Sequence, residues 1–316
     1  KMQPDFTNLY KGELHCHIDG SLSLQFVLNT ILKEKIVLPE YWTLEDIKSG
    51  RFNSDFLANL IRVKPGQSLE HYLKFFAITC ACMQSAENLR NAIFDIVENY
   101  AVPQNIKYIE LRYAPSQHTT QLTQLRVNEV VTDAAFECQE KYSVKIVIIV
   151  CAMKHIDPES KAQKETLKLF NHTFKVPIAY DQAGADINFT IHDFYNHYAV
   201  LKNKNVPFTL HAGESTDAIH VLESAQKGAK RIGHGVRAIE NAYVLQCLKQ
   251  MGVSLENCPT SNMQTSVEGL KSNLSNYPTG KFLEKGIKCC VNTDNTLMSN
   301  TTLSREYQLL HEKGVL

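Results

Sequence analysis

Four short clusters in this 316-residue chain carry residue types that do chemistry: His15-Cys16-His17-Ile18-Asp19-Gly20, His211-Ala212-Gly213-Glu214, Gly233-His234-Gly235 and Thr293-Asp294-Asn295. The first reads as the end of a strand. A strand's two-residue period then puts His15 and His17 on one face and Cys16 on the other. Two adjacent imidazoles repel if both are protonated, whereas a metal ion favours both as neutral ligands. The other clusters add two imidazoles, two carboxylates and small residues that let a backbone approach a ligand. Any one of these polar residues could be a cap or a satisfied core group. Together, three histidines and one aspartate suit a zinc ion with a position left for water.

The elements that must position these clusters are short apolar or β-branched runs alternating with helix-period stretches. Eight runs read as strands: 11–17, 108–113, 145–152, 177–180, 208–211, 231–233, 253–257 and 287–292. Helical patterns cover 127–141, 158–170, 192–204, 218–227, 241–250 and 279–285. Strand and helix alternation is the signature of parallel βαβ units, and eight units close into a (β/α)8 TIM barrel. An open doubly wound sheet is the rival, but no G-x-G-x-x-G turn follows the first strand. Residues of about 21–107 are too long for one crossover and read as a helical insertion after strand 1. Within it, Leu69, Tyr72, Leu73 and Phe76 follow the i, i+3, i+4, i+7 spacing of an apolar stripe, which is either core or a cover over the barrel mouth. In such a barrel the C-terminal strand ends build the active site, and all four clusters fall there. Strand 4 ends Tyr180-Asp181-Gln182-Ala183-Gly184, without the lysine that bridges two metals in amidohydrolase-type barrels. A single metal ion per chain is expected.

Composition narrows the classes further. With 33 basic and 33 acidic residues and zero formal charge, no net field draws the chain to nucleic acid or anionic lipid. The longest apolar run, 144–153, is interrupted by Lys145 and is half of what a membrane span needs, about 20 residues. No apolar segment follows Lys1–Asp5, so no secretory signal is expected. Nine cysteines form no C-x-x-C pair and are expected to be free thiols of a reducing cytoplasm.

The ordered motifs resemble the adenosine deaminase family. The match runs through His15-Cys16-His17-Ile18-Asp19-Gly20-Ser21, Asp181-Gln182-Ala183-Gly184, His211-Ala212-Gly213-Glu214, Arg231-Ile232-Gly233-His234-Gly235 and Asn292-Thr293-Asp294. It spans nearly the whole chain as one domain of residues 1–316. The resemblance implies one zinc bound by His15, His17, His211 and Asp294, with Glu214 and His234 as the catalytic pair. It implies hydrolytic deamination of adenosine and 2'-deoxyadenosine to inosine and 2'-deoxyinosine, with Glu214 donating a proton to ring N1. Gly184 would meet purine N3, Asp19 would lie near the ribose hydroxyls, and His17 would also contact substrate. Relatives acting on adenine tend to carry Glu at the position of Asp19, which favours the nucleoside. The alternatives are another aminopurine such as adenine, or a catalytically silent nucleoside-binding barrel. In two places the chain departs from the pattern. The family usually has a second acid where Asn295 stands, and Asn295 would offer purine N7 a permanent donor unless it merely caps its loop. Family members also usually continue beyond 303–310, so the last barrel helix is expected to be incomplete.

Overall fold

A computed structural model describes residues 4–64, 66–185, 188–265, 267, 270 and 273–316. Eight strands follow one another: β1 Lys11–His17, β2 Ile106–Tyr113, β3 Lys145–Met153, β4 Ile178–Ala183, β5 Thr209–Ala212, β6 Arg231–His234, β7 Ser254–Asn257 and β8 Cys289–Val291. They form two four-stranded parallel sheets in chain order. Single parallel bridges join the sheets at both seams, Tyr180 to Phe208 and Cys16 to Asp294. The strands therefore run round in sequence as a (β/α)8 barrel. At the β8–β1 seam the ladder passes through residues with chemistry: His17 N–H donates to the Asp294 carbonyl at 2.8 Å and Asp294 N–H to the His15 carbonyl at 2.9 Å.

The barrel helices begin where a side chain satisfies free N–H groups of the first turn. Thr123 caps 124–142, Ser160 caps 161–168, Asp217 caps 218–226 and Asn241 caps 242–251. These caps account for most shifts from the expected bounds. The expected helix at 192–204 begins later, at Tyr195, because Asp193 accepts from the N–H and hydroxyl of Thr190 and holds a turn there. Strand β4 runs three residues beyond its expected end. Cys151, Ala152 and Met153 continue to pair with Asp181, Gln182 and Ala183, so polar residues that resemble a loop belong to the ladder. The final helix, Leu303–Glu312, buries Leu303, Glu306 and Leu310.

Apolar strand residues such as Ile109, Leu111, Leu210, Ile232 and Leu255 are buried in the layer between strands and helices. Alternate positions bear charge and face the lumen, since they meet across non-adjacent strands. Arg112 of β2 reaches Asp181 of β4 and Glu256 of β7, both at 2.8 Å, and Arg231 of β6 reaches Glu110 of β2. An ion-pair network thus fills a lumen that such barrels usually pack with Val, Ile and Leu.

The insertion after β1 is helical as expected, with helices at 24–34, 44–48, 54–61, 69–74, 76–81 and 86–96. Its apolar stripe spans two short helices broken at Phe75 rather than one. Leu69, Tyr72, Leu73 and Phe76 all border the chamber at the barrel mouth, so the stripe roofs it. All nine cysteines are free. No described helix is long and apolar enough to cross a membrane.

Candidate metal and catalytic site

The end of β1 brings His15 and His17 to the same side, while Cys16 is buried beside the Ser21 hydroxyl at 3.3 Å. β5 adds His211, and Asp294 follows β8. Ligand atoms of these four residues lie within 4.8 Å of one another. Asp294 Oδ1 is 3.3 Å from both His15 Nε2 and His17 Nε2, and His17 Nε2 is 3.3 Å from His211 Nε2.

The donor chemistry fits a metal ion. Glu256 Oε2 takes the Nδ1 side of His15 at 2.8 Å, and Asp181 Oδ2 lies 2.9 Å from Nδ1 of His211. Each carboxylate turns the other ring nitrogen, Nε2, towards the common point, the arrangement expected behind metal-binding histidines. His15 Nε2 is buried without a hydrogen-bond partner. Burial holds His17 well below its ordinary pKa and lowers His211, so both rings are neutral ligands. A second grouping, His15, His234, Cys258 and Asp294, is also compact. It is the poorer donor set, because burial pushes the Cys258 thiol well up.

Close packing of these rings requires glycine at 233. A Cβ there would stand 3.0 Å from His15 Cε1 and 3.3 Å from His211 Cγ. Two site residues occupy the left-handed region, His234 at φ 61° and Asp294 at φ 65°. That backbone costs about 1–3 kcal/mol for a non-glycine residue and must be held by its surroundings. Asn257 Nδ2 does part of this, donating to the His234 carbonyl at 2.8 Å.

Across the chamber His234 Nε2 lies 3.4 Å from Glu214 Oε2 and 4.0 Å from Asp294 Oδ2. Burial, reinforced by the charge of Asp294, pushes Glu214 up to about 7. Burial lowers His234 to about 4. A carboxylic acid and a neutral imidazole therefore face each other near neutrality. The chamber has about 510 Å³ of empty space and takes in His17, Gly184, Glu214, His234, Asp294 and Asn295. Beyond His17 and Gly184 a second space of about 940 Å³ reaches Asp19, whose carboxyl burial pushes up to about 7. Asn295 precedes the helix Thr296–Ser299, but its side chain makes no capping bond. A Cβ on Gly20 would stand 1.7 Å from Asn295 Oδ1. That glycine makes room for the Asn295 amide, which is consistent with a site role rather than a cap.

Every candidate residue but His15 thus borders one pair of adjoining spaces, and His15 adjoins them through Asp294, 3.3 Å from its Nε2. The supports beneath them escape a reading of strand ends alone. Arg112 and Glu256 are each next to last in their strands and lie in the lumen behind the histidines. Their signal is charge inside otherwise apolar, buried strands. The helix Pro259–Gln264 after β7 is a further support. Ser261 Oγ donates to Asp294 Oδ2 at 2.6 Å, Asn262 meets His234 Nδ1 at 2.9 Å, and Thr265 Oγ1, just beyond the helix, donates to Glu214 Oε1 at 3.0 Å. One turn and its exit hold three residues of the site.

Arg112 has a testable energetic role, because it neutralises both carboxylates behind the histidines with no exposure of its own. Removing one partner of a buried charge group typically costs about 3–5 kcal/mol. Urea denaturation of metal-free Arg112→Met is expected to show a loss of that size, and a loss below about 1 kcal/mol would refute the assignment.

A family-wide sequence profile described as adenosine deaminase matches residues 10–315. An adenosine deaminase from Enterococcus faecalis is 34% identical over 309 residues, covering 96% of this chain and 85% of the relative. Among solved structures, an adenine deaminase from Arthrobacter aurescens superposes with a TM-score of 0.80 at 21% identity, covering 95% of this chain and 86% of that one. The Arabidopsis N6-mAMP deaminase also gives 0.80 at 21% identity, covering 98% and 89%. At these identities the solved structures speak to the fold, whereas the profile and the relative speak to descent. The chain belongs to the adenosine deaminase family.

Proposed function

We propose that this chain hydrolyses adenosine and 2'-deoxyadenosine to the inosine nucleosides and ammonia, using one zinc ion held by His15, His17, His211 and Asp294. The observation that carries the reading is a buried Glu214 and His234, 3.4 Å apart, facing a His-His-His-Asp group across one roofed chamber. A zinc ion held there would supply a strongly nucleophilic water at neutral pH. His234 hydrogen-bonds the attacking water and aims it at C6. As attack moves an electron pair onto ring N1, the Glu214 carboxyl delivers its proton there; the C6–N6 bond then breaks, one proton of the water leaves with the amine as ammonia, and the other restores the Glu214 acid. The roof of Leu69, Tyr72, Leu73 and Phe76 keeps bulk water out. Gly184 offers its backbone to purine N3. The space towards Asp19 takes the sugar and favours a nucleoside over a free base. Nine free thiols accord with work in a reducing cytoplasm.

The test is the absorbance change from adenosine to inosine with metal-quantified protein, run beside adenine and AMP. No turnover of adenosine refutes the proposal. Binding without turnover favours the silent barrel, and preference for adenine favours the free-base reading.

Asn295 makes a separate prediction. Purine N7 only accepts hydrogen bonds, and an amide offers N–H at every pH, whereas a carboxyl offers one only while protonated. KM of Asn295→Asp is therefore expected to rise relative to wild type between about pH 5 and 9 as its carboxyl ionises, on top of the shared titration of Glu214 and Asp19. A ratio of variant to wild-type KM that stays constant with pH would show that this side chain does not read N7.

A further inference from the structure

The ring nitrogen that His234 turns into the chamber can donate or accept a hydrogen bond, depending on its tautomer, and a buried chain of groups behind the ring decides which. His234, Asn262 and Tyr277 are all buried, with 1%, 0% and 2% exposure. Tyr277 Oη lies 2.7 Å from Asn262 Oδ1, and Asn262 Nδ2 lies 2.9 Å from His234 Nδ1. The two ends of the Asn262 amide differ, since Oδ1 only accepts and Nδ2 only donates. The Tyr277 hydroxyl donates to Oδ1. The amide is thereby turned so that Nδ2 faces His234 and donates to Nδ1. An imidazole that accepts at Nδ1 and is neutral carries its proton on Nε2.

We infer that Asn262 and Tyr277 are positioning residues that lock His234 as the Nε2–H tautomer, so that His234 acts in the chamber as a hydrogen-bond donor and not as a proton acceptor. The inference rests on the deaminase reading for its catalytic consequence, but not for the tautomer itself. The direction of the chain suits the neighbours of Nε2. Two carboxyl oxygens lie near it, Glu214 Oε2 at 3.4 Å and Asp294 Oδ2 at 4.0 Å. A donor placed there can hold the attacking oxygen by a lone pair and stabilise the oxygen that becomes negative at the tetrahedral centre. The Asn257 bond to the His234 carbonyl and the left-handed φ of His234 fix the backbone. The relay therefore controls only the ring's proton and its tilt.

Two substitutions separate this from simple packing. Asn262→Asp puts an acceptor opposite Nδ1 and draws the ring proton there, leaving Nε2 bare. Tyr277→Phe frees the amide to turn over without adding charge. Nitrogen-15 spectra of histidine-labelled wild-type protein are expected to show His234 protonated at Nε2, and Asn262→Asp to show it protonated at Nδ1. On adenosine, Asn262→Asp should lower kcat by about 10²–10³-fold, the loss seen when one preorganised donor is removed, with KM changed little. Tyr277→Phe should cost about 3–10-fold, the worth of one neutral hydrogen bond. In a His234→Ala background neither substitution should cost more than about twofold, because the group they act through is gone. Wild-type His234 protonated at Nδ1, or full additivity in the His234→Ala background, overturns the inference. If Asn262→Asp melts early, the wild-type spectrum and Tyr277→Phe still decide it. Failure of the deaminase reading would leave adenosine unconverted by wild type but would not alter the spectrum.

Discussion

Glu214→Gln is expected to retain metal and bind nucleoside while losing several orders of magnitude in kcat. The reason is the protonation state that the fold imposes. The Glu214 carboxyl is buried beside the charge of Asp294, and both effects favour its neutral form up to about pH 7. A glutamine keeps the size of the side chain and can still accept from Thr265 Oγ1, which lies 3.0 Å from Glu214 Oε1. What it lacks is a proton to give as negative charge develops on ring N1. General acid catalysis alone contributes about 10²–10⁴-fold, and loss of preorganisation adds to it. The sign with pH follows from the same group. Because the acid acts while protonated, kcat/KM of wild type should fall as pH rises above about 7, where burial has placed its ionisation. Metal content and the dissociation constant of a nucleoside should change little in the variant, which separates a lost proton donor from a damaged site. Substantial turnover by Glu214→Gln would remove Glu214 from the mechanism.

The barrel and its reactive strand ends were legible because each rests on a local pattern. His15 and His17 announce themselves by a two-residue period, Gly233 and Gly235 by the room that rings and a left-handed turn demand. The alternation of strands and helices needs only short-range hydrophobic spacing. What stayed hidden depends on closure. Arg112, Asp181 and Glu256 are far apart in sequence, and only the closed lumen brings them to 2.8 Å from one another's charges. Asp181 sits in a motif that suggests a loop, and the pairing of β4 with β3 makes it strand. Ser261, Asn262 and Thr265 carry no spacing that singles them out in sequence. Their purpose appears only when the helix after β7 lies beside Asp294, His234 and Glu214. The stripe from Leu69 to Phe76 reads first as core and only second as a cover, because spacing reports an apolar face and not what it faces.

Replacing Asp294 by alanine is expected to reduce metal content from one ion per chain to almost none after dialysis, and to abolish turnover with it. Asp294 is the hub of the group. One of its carboxylate oxygens lies 3.3 Å from both His15 Nε2 and His17 Nε2, and the other accepts from Ser261 Oγ at 2.6 Å. It is also the only anion of the proposed set, held well below the usual carboxylate range by its histidine partners despite the opposing effect of burial. Three imidazoles remain in the variant, without the carboxylate charge that offsets a divalent ion in a buried site. Removing a residue that only supports a ligand typically weakens metal binding about 10–100-fold. Loss of the hub itself should exceed that range. Ser261→Ala, which removes only the support to the second oxygen, should fall within it, and the ordering Asp294→Ala beyond Ser261→Ala is the discriminating result. His15→Ala tests the same group from the other side of the β8–β1 seam, where the two residues share a ladder hydrogen bond at 2.9 Å. Two ions per wild-type chain, or full occupancy in Asp294→Ala, would refute a single centre built on these four residues. A zinc titration with a competing chelator, read alongside the melting temperature of each metal-free variant, distinguishes lost ligation from lost fold.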